Sequence, residues 1–168
     1  DGAPAANQDC AVFGMTGNKM VGRNQNDEIS RYHGICKVPA TCPTAFSQMG
    51  THCYMIDPEL KATRQKYQSY CAAMGGELTS IISEKELKFL EQNIRQVFPN
   101  TAPAETFWIG LQNPNPVYTD GLLPRDRRYG WEWTDGFPYN TSLDTVWDYA
   151  EPSPREKYAY MQNFIWYG

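Results

Sequence analysis

Thr106-Phe107-Trp108-Ile109-Gly110-Leu111 is the stretch on which the fold turns. Aromatic and aliphatic side chains in an unbroken run, closed by the turn residues Asn113-Pro114-Asn115-Pro116, read as a buried strand. Upstream, Ser83-x-x-Glu86 is a capping box that opens a helix whose Leu87, Leu90, Ile94 and Val97 form one apolar stripe. Phe98-Pro99-Asn100 stops it. An earlier helix is expected from about Pro58 to Met74, with Leu60, Tyr67, Tyr70, Cys71 and Met74 largely on one face. Gly75-Gly76 ends it, and Glu77 to Ile82 is a strand-like link. Downstream, Tyr129-Gly130-Trp131-Glu132-Trp133 alternates as a strand and Thr134-Asp135-Gly136 turns it. Residues 137–157 carry no period and form a long loop of the kind that is usually functional or disordered. Strand character returns from Tyr158 to Ile165.

A chain of 168 residues accommodates one domain with an extension. Fifteen basic and nineteen acidic side chains leave a formal charge of −4, which argues against nucleic acid as the main partner. No apolar run approaches the roughly 20 residues of a membrane-spanning helix. Asp1-Gly2-Ala3-Pro4 reads as a mature N-terminus, with any signal peptide already removed. Residues 1–41 are polar and rich in turn chemistry, and are expected to be an extension without a core of its own; residues 42–168 are the expected domain.

Five cysteines stand at positions 10, 36, 42, 53 and 71. Their number in a Tyr- and Trp-rich chain points to an oxidising compartment, and with no Cys-x-x-Cys and only His33 and His52 the zinc reading is weak. Cys10 and Cys36 are expected to close the first segment into a loop; the alternative is a flexible stalk whose cysteines pair elsewhere. Phe46, the turn at Met49-Gly50-Thr51 and Cys53-Tyr54 read as a small hairpin with a cysteine on each arm.

From Cys42 onward, about three quarters of the chain, the sequence resembles the C-type lectin-like domain family. Cys42-Pro43 and Cys53-Tyr54 are similar to the N-terminal hairpin of its long form. Cys71 sits late in the first helix, followed by Gly76-Glu77-Leu78, then Ser83 and Glu86 before Phe89-Leu90. Trp108-Ile109-Gly110-Leu111 matches the central signature, Trp131-x-Trp133-x-Asp135-Gly136 the strand into the long loop, and Trp147 before Glu151-Pro152 the approach to the sugar site. The resemblance implies an α+β fold, with two helices flanking antiparallel sheets and a long irregular loop, and a Cys42–Cys53 disulfide. Trp108, Leu111, Trp131 and Trp133 are core positions and say nothing of a ligand. In the family the helix cysteine pairs with one near the C-terminus, beyond residue 168, so the last strand and its cysteine are expected to be missing. Cys71 is then explained by an early end to the chain, by pairing with Cys10 or Cys36, or by a bridge to another molecule that makes a disulfide-linked oligomer. A second family bridge needs a cysteine where Tyr158 stands.

Calcium-dependent members hold Ca2+ through a Glu-Pro-Asn-type triplet, a further Glu and a Trp-Asn-Asp segment, and the same ligands bond vicinal sugar hydroxyls. Calcium takes six to eight oxygens. Here the resemblance implies Glu151, Ser153 and Glu156 as metal and sugar ligands around a cis Pro152, with Trp147 and Tyr149 beside the ligand and Asp144 and Asp148 as further oxygen donors. Ser153 replaces an amide, and Trp166-Tyr167-Gly168 takes the Trp-Asn-Asp place without its side-chain oxygens. Asn140-Thr141-Ser142 is a glycosylation acceptor.

The resulting expectation is a secreted binding protein that recognises a glycan or glycoprotein through its long loop, with Ca2+ as the one possible cofactor. The competing class is a calcium-independent protein or matrix binder using Phe137, Tyr139, Trp147 and Tyr149, since Tyr and Trp are frequent binding anchors. An enzyme is the remote third class: His33 and His52 have no nucleophile elbow, zinc or phosphate-loop motif beside them.

Overall fold

The strand around Trp108 lies inside a mixed sheet. A computed structural model describes residues 30–39, 41–115, 130–139, 141–148, 151–152, 157–162 and 165–167. In chain order the strands are β1 (His33–Pro39), β2 (Ser47–Met49), β3 (His52–Ile56), β4 (Glu77–Leu78), β5 (Thr106–Gln112), β6 (Glu132–Trp133), β7 (Tyr158–Gln162) and β8 (Ile165–Tyr167). The helices are α1 (Arg64–Ala73) and α2 (Glu84–Val97). The sheet path is β2-β3-β1-β5-β7-β8, with β4 beside β1 and β6 beside β5. β1 runs antiparallel to β3 and β4 but parallel to β5.

β5 is buried from Phe107 to Leu111. Its Gly110 serves close approach: the Gly110 amide donates to the Thr79 carbonyl at 2.9 Å, and a methyl at that Cα would collide with the Leu78 carbonyl oxygen. Trp108 is buried in one cluster with Cys36 of β1 and Tyr67 and Cys71 of α1, and its indole N–H donates to the Ala62 carbonyl at 3.0 Å. One core cluster gathers Ile35, Ile81, Leu90, Ile94, Phe107, Ile109, Leu111, Trp131, Trp133, Leu143 and Trp147; a second gathers Cys36, Tyr67, Cys71, Leu78, Trp108 and Tyr160.

β1 corrects the reading of residues 1–41. The segment expected to lie in a core-less extension contains a central strand, buried from His33 to Val38, so the domain reaches back at least to β1. Gly34 lies against the Tyr67 ring of α1, with no room for a Cβ. Cys36 is bonded to Cys71, not to Cys10, with the Cα atoms 5.2 Å apart. The physical reason is placement: β1 packs on α1, so the two sulfurs meet in the core, where both cysteines are fully buried. β1 thereby supplies the partner for Cys71 that the resemblance placed beyond residue 168. Cys71 is not open for a bridge to another molecule. Cys10 lies outside the described residues. Cys42 and Cys53 are bonded to each other and fasten the β2–β3 hairpin.

Other elements shift. α1 starts at Arg64, not near Pro58: residues 58–63 run irregularly, tied by the paired Tyr32 and Ala62 backbones. The Ser83 hydroxyl accepts the Glu86 amide at 3.1 Å as a capping box requires. The Glu86 carboxylate, however, accepts from the Ile82 amide at 2.8 Å and turns inward. Val97, assigned to the buried stripe of α2, is 37% exposed. The single strand expected from Tyr158 to Ile165 is two, β7 and β8, paired antiparallel.

Candidate functional site

The long loop rises from β6 and returns to β7. Its first turn is fixed by the Asp135 carboxylate, which accepts the Phe137 amide at 3.2 Å. Farther on, Thr141–Val146 winds into a 3-10 turn that buries Leu143 in the core. Trp147 is buried at 5% exposure, packed edge-on against Trp131 with ring centroids 5.1 Å apart. Its indole N–H donates to the Tyr139 hydroxyl at 2.8 Å. Trp147, expected beside the ligand, is packed into the base of the loop against Trp131 and bonded to Tyr139. Tyr139 is half-buried.

Phe137 is 37% exposed, and the Lys37 ammonium lies 5.2 Å from its ring centroid. That ammonium belongs to a buried cluster. Lys37 donates to the Glu86 carboxylate at 2.8 Å and to the Ser80 hydroxyl at 2.9 Å, with both charged side chains at most 5% exposed. The Tyr54 hydroxyl donates to the same carboxylate oxygen. Burial, the bond to Glu86, and the charges of Glu86 and Asp135 push the Tyr54 phenol far above its ordinary range. The phenol therefore stays a donor at any working pH. Sequence reasoning missed this cluster. Its signal was a lysine inside the short apolar run Gly34-Ile35-Cys36-Lys37-Val38, where a charge must find a partner.

At the far end of the loop the Glu151–Pro152 peptide is cis, the Glu151 amide donates to the Asp148 carbonyl at 3.0 Å, and Pro152 is buried. Glu151 and Asp148 are half-buried. Ser153, Glu156, Tyr149 and Asn140 lie outside the described residues, as does the Asp144 side chain. Among the described residues no three His, Cys, Asp or Glu side chains converge as a metal site would require. Glu151 and Asp148 fall well short of six oxygens, so the described donors do not make a calcium site by themselves.

The two histidines lie on different strands. His33 is buried on β1, its Nδ1 facing the Asp57 and Leu60 carbonyls at 3.2 and 3.0 Å and its Nε2 3.3 Å from the Glu105 carboxylate. His52 is on β3, with Nδ1 3.4 Å from the Thr51 hydroxyl. Burial pulls the Glu105 carboxyl up, but the bond and charge of Lys61, a bond from Thr101 and the charge of His33 hold it below the usual carboxylate value.

Comparison with known proteins decides the family, because the model of the Lectin C-type domain matches residues 60–166. The chain belongs to the C-type lectin family. Human C-type lectin domain family 4 member C is 28% identical over 123 residues, covering 73% of this chain and 48% of that protein. Macaque C-type lectin domain family 7 member A is 30% identical, covering 72% of this chain and 42% of that protein. Snaclec A11 of Macrovipera lebetinus is 30% identical over 59% of this chain and 58% of its own length. The chain thus spans about half the length of the curated relatives it matches. Among solved structures, the mouse scavenger receptor C-type lectin carbohydrate-recognition domain shares the fold. Its TM-score is 0.50 at 20% identity, over 76% of this chain and 87% of that one. The C-type lectin fold of this chain is α+β, with two helices and a mixed sheet.

Proposed function

We propose that this C-type lectin is a calcium-independent binding module that recognises a protein surface at its loop, centred on Phe137. The observation that carries the reading is the contrast within the loop aromatics. Trp147 and Tyr139 are spent on internal support, whereas Phe137 projects 37% exposed above a buried ammonium. A large apolar ring held on a rigid base is what a hot spot needs, because little conformational entropy is lost on binding. The two disulfides support a secreted or otherwise extracellular setting. The protein is proposed to act by binding, without catalysis.

Carbohydrate recognition is the second reading, favoured by the half-buried Glu151 beside buried Pro152, where a carboxylate can accept from a sugar hydroxyl. Ser153 and Glu156 would complete that surface, and Asn140 is a proposed glycosylation site on the same loop. A melt in millimolar calcium and then in EDTA separates the readings, since an ion that binds only the folded state raises the midpoint by mass action. An unchanged midpoint is expected. A rise that Glu151→Gln abolishes, with glycan-array binding that needs calcium, would replace the protein-binding reading. Cross-linking through a photoreactive residue at position 137 should then capture a protein partner from the extracellular milieu, and Phe137→Ala should weaken the purified complex by about tenfold or more.

A further inference from the structure

We propose a second docking surface, on the outer side of α2, for an acidic peptide segment carrying an aromatic side chain. A cleft of about 610 Å³ opens between β2 and the first half of α2, lined by Met49, Glu84, Lys85, Lys88, Phe89 and Gln92. That volume lies in the range of ligand pockets and accommodates a bulky side chain with its flanking backbone. The floor is apolar and held from behind. Phe89 packs edge-on against Tyr54 at 5.3 Å, and the Tyr54 hydroxyl is bonded into the buried Glu86–Lys37 pair. An aromatic side chain entering the cleft therefore meets a fixed ring and the adaptable Met49 thioether.

The wall supplies the charge. Lys85 and Lys88 are exposed and three residues apart, so both ammoniums stand on one side of the helix. Neither makes an ion pair or hydrogen bond among the described residues, although Glu84 lies four residues before Lys88. The contrast on the same helix is Arg95, bonded to Glu91 four residues earlier at 2.9 Å. The partial positive charge of the first turn of α2 adds to the two lysines. Against the exposed Glu84 carboxylate in the same lining, the two lysines leave the wall with a net positive charge on a chain of net charge −4, beside an apolar floor. Charge complementarity selects carboxylates, and the floor selects a ring between them. The surface shares no lining residue with the loop around Phe137, and it stands or falls separately from that reading.

The test uses the whole chain, isotopically labelled, titrated with three synthetic peptides: Glu-Glu-Phe-Glu-Glu, Glu-Glu-Ser-Glu-Glu and Lys-Lys-Phe-Lys-Lys. The first should give saturable amide shifts confined to Met49 and residues 84–92. The serine peptide should bind about tenfold more weakly, as loss of a buried ring requires, and the basic peptide should give no saturable shift. Lys85→Gln with Lys88→Gln, both surface changes that leave the fold intact, should weaken the first peptide by about fivefold and flatten its salt dependence. Phe137→Ala should leave it unchanged. No saturable shift at millimolar peptide would overturn the proposal. So would equal binding of all three peptides, or a sulfated oligosaccharide that binds the cleft while the phenylalanine and serine peptides remain indistinguishable.

Discussion

The two ends of the domain are held by different physics. At the β1–α1 end, Cys36–Cys71 closes a covalent link across a buried interface, while Lys37–Glu86, a buried charge pair that joins β1 to α2, lies under Phe137 of the loop. At the loop end the described residues are held by noncovalent contacts: Trp147 packs on Trp131 and bonds to Tyr139, the Asp135 carboxylate accepts the Phe137 amide, and the Glu151 amide donates to the Asp148 carbonyl. The difference teaches where change is tolerated. The surface proposed around Phe137 sits on the end without a disulfide, and the sheet beneath it is tied to α1 by one.

Breaking the buried pair should produce the largest effect. Lys37→Met leaves the Glu86 carboxylate buried without its cation, and a loss of about 3–5 kcal/mol is expected in denaturant unfolding. Lys37→Met with Glu86→Leu should recover much of it. Equal losses in the single and double variants would show that the pair itself stabilises the fold, not merely that an orphaned charge destabilises it.

Removing the Cys36–Cys71 bridge comes next. Its ends are 35 residues apart, and Cys36→Ala with Cys71→Ala should cost about 3–4 kcal/mol in the chain-entropy account. Because Cys42–Cys53 spans only 11 residues, its loss should cost less. The reverse order would mean that the hairpin, and not β1, is the brace that matters.

At the loop end, Trp147→Phe keeps an aromatic against Trp131 but deletes the bond to Tyr139. About 1 kcal/mol should be lost, visible as a small drop in melting temperature. The amide shifts should reach Phe137 while leaving α1 untouched. Perturbation spreading to α1 would erase the proposed division between the two ends.

The smallest effect is acid sensitivity around Glu105. Its carboxyl titrates below the ordinary value in the folded chain, so the unfolded chain takes up the proton more readily. Its contribution is therefore complete above the ordinary carboxylate value of 4.5 and is lost as pH falls through the lower folded value. Lys61→Met should weaken the depression and reduce this part of the acid-unfolding slope. An unchanged Glu105 titration by NMR would show that His33 and Thr101 carry it instead.

Much of the fold was legible in local pattern. The unbroken run at Phe107–Leu111, the Ser83–Glu86 cap and the Trp131/Trp133 alternation each name an element through contacts with near neighbours in sequence. β1 was not legible. Its short run follows turn-rich residues and lacks the alternation of a half-exposed strand, since both its faces are covered. The loop was half legible. Its length and aromatic content marked it as a site, but nothing in the spacing separated the ring that supports, Trp147, from the ring that projects, Phe137.

By itself the sequence determined the class of fold, through the motifs that carry the family resemblance, and it placed α2, β5 and β6, because caps, apolar periods and turn residues act over a few positions. It also determined the cysteine and aromatic supply. Only the tertiary structure decided which cysteine meets Cys71, which carboxylate neutralises Lys37 and which loop ring faces outward. The first two are contacts between residues 35 and 49 apart in the chain, set by where β1 enters the sheet and by the high cost of leaving a charge buried without a partner; the third is set by the packing of Trp147 on Trp131 and its bond to Tyr139.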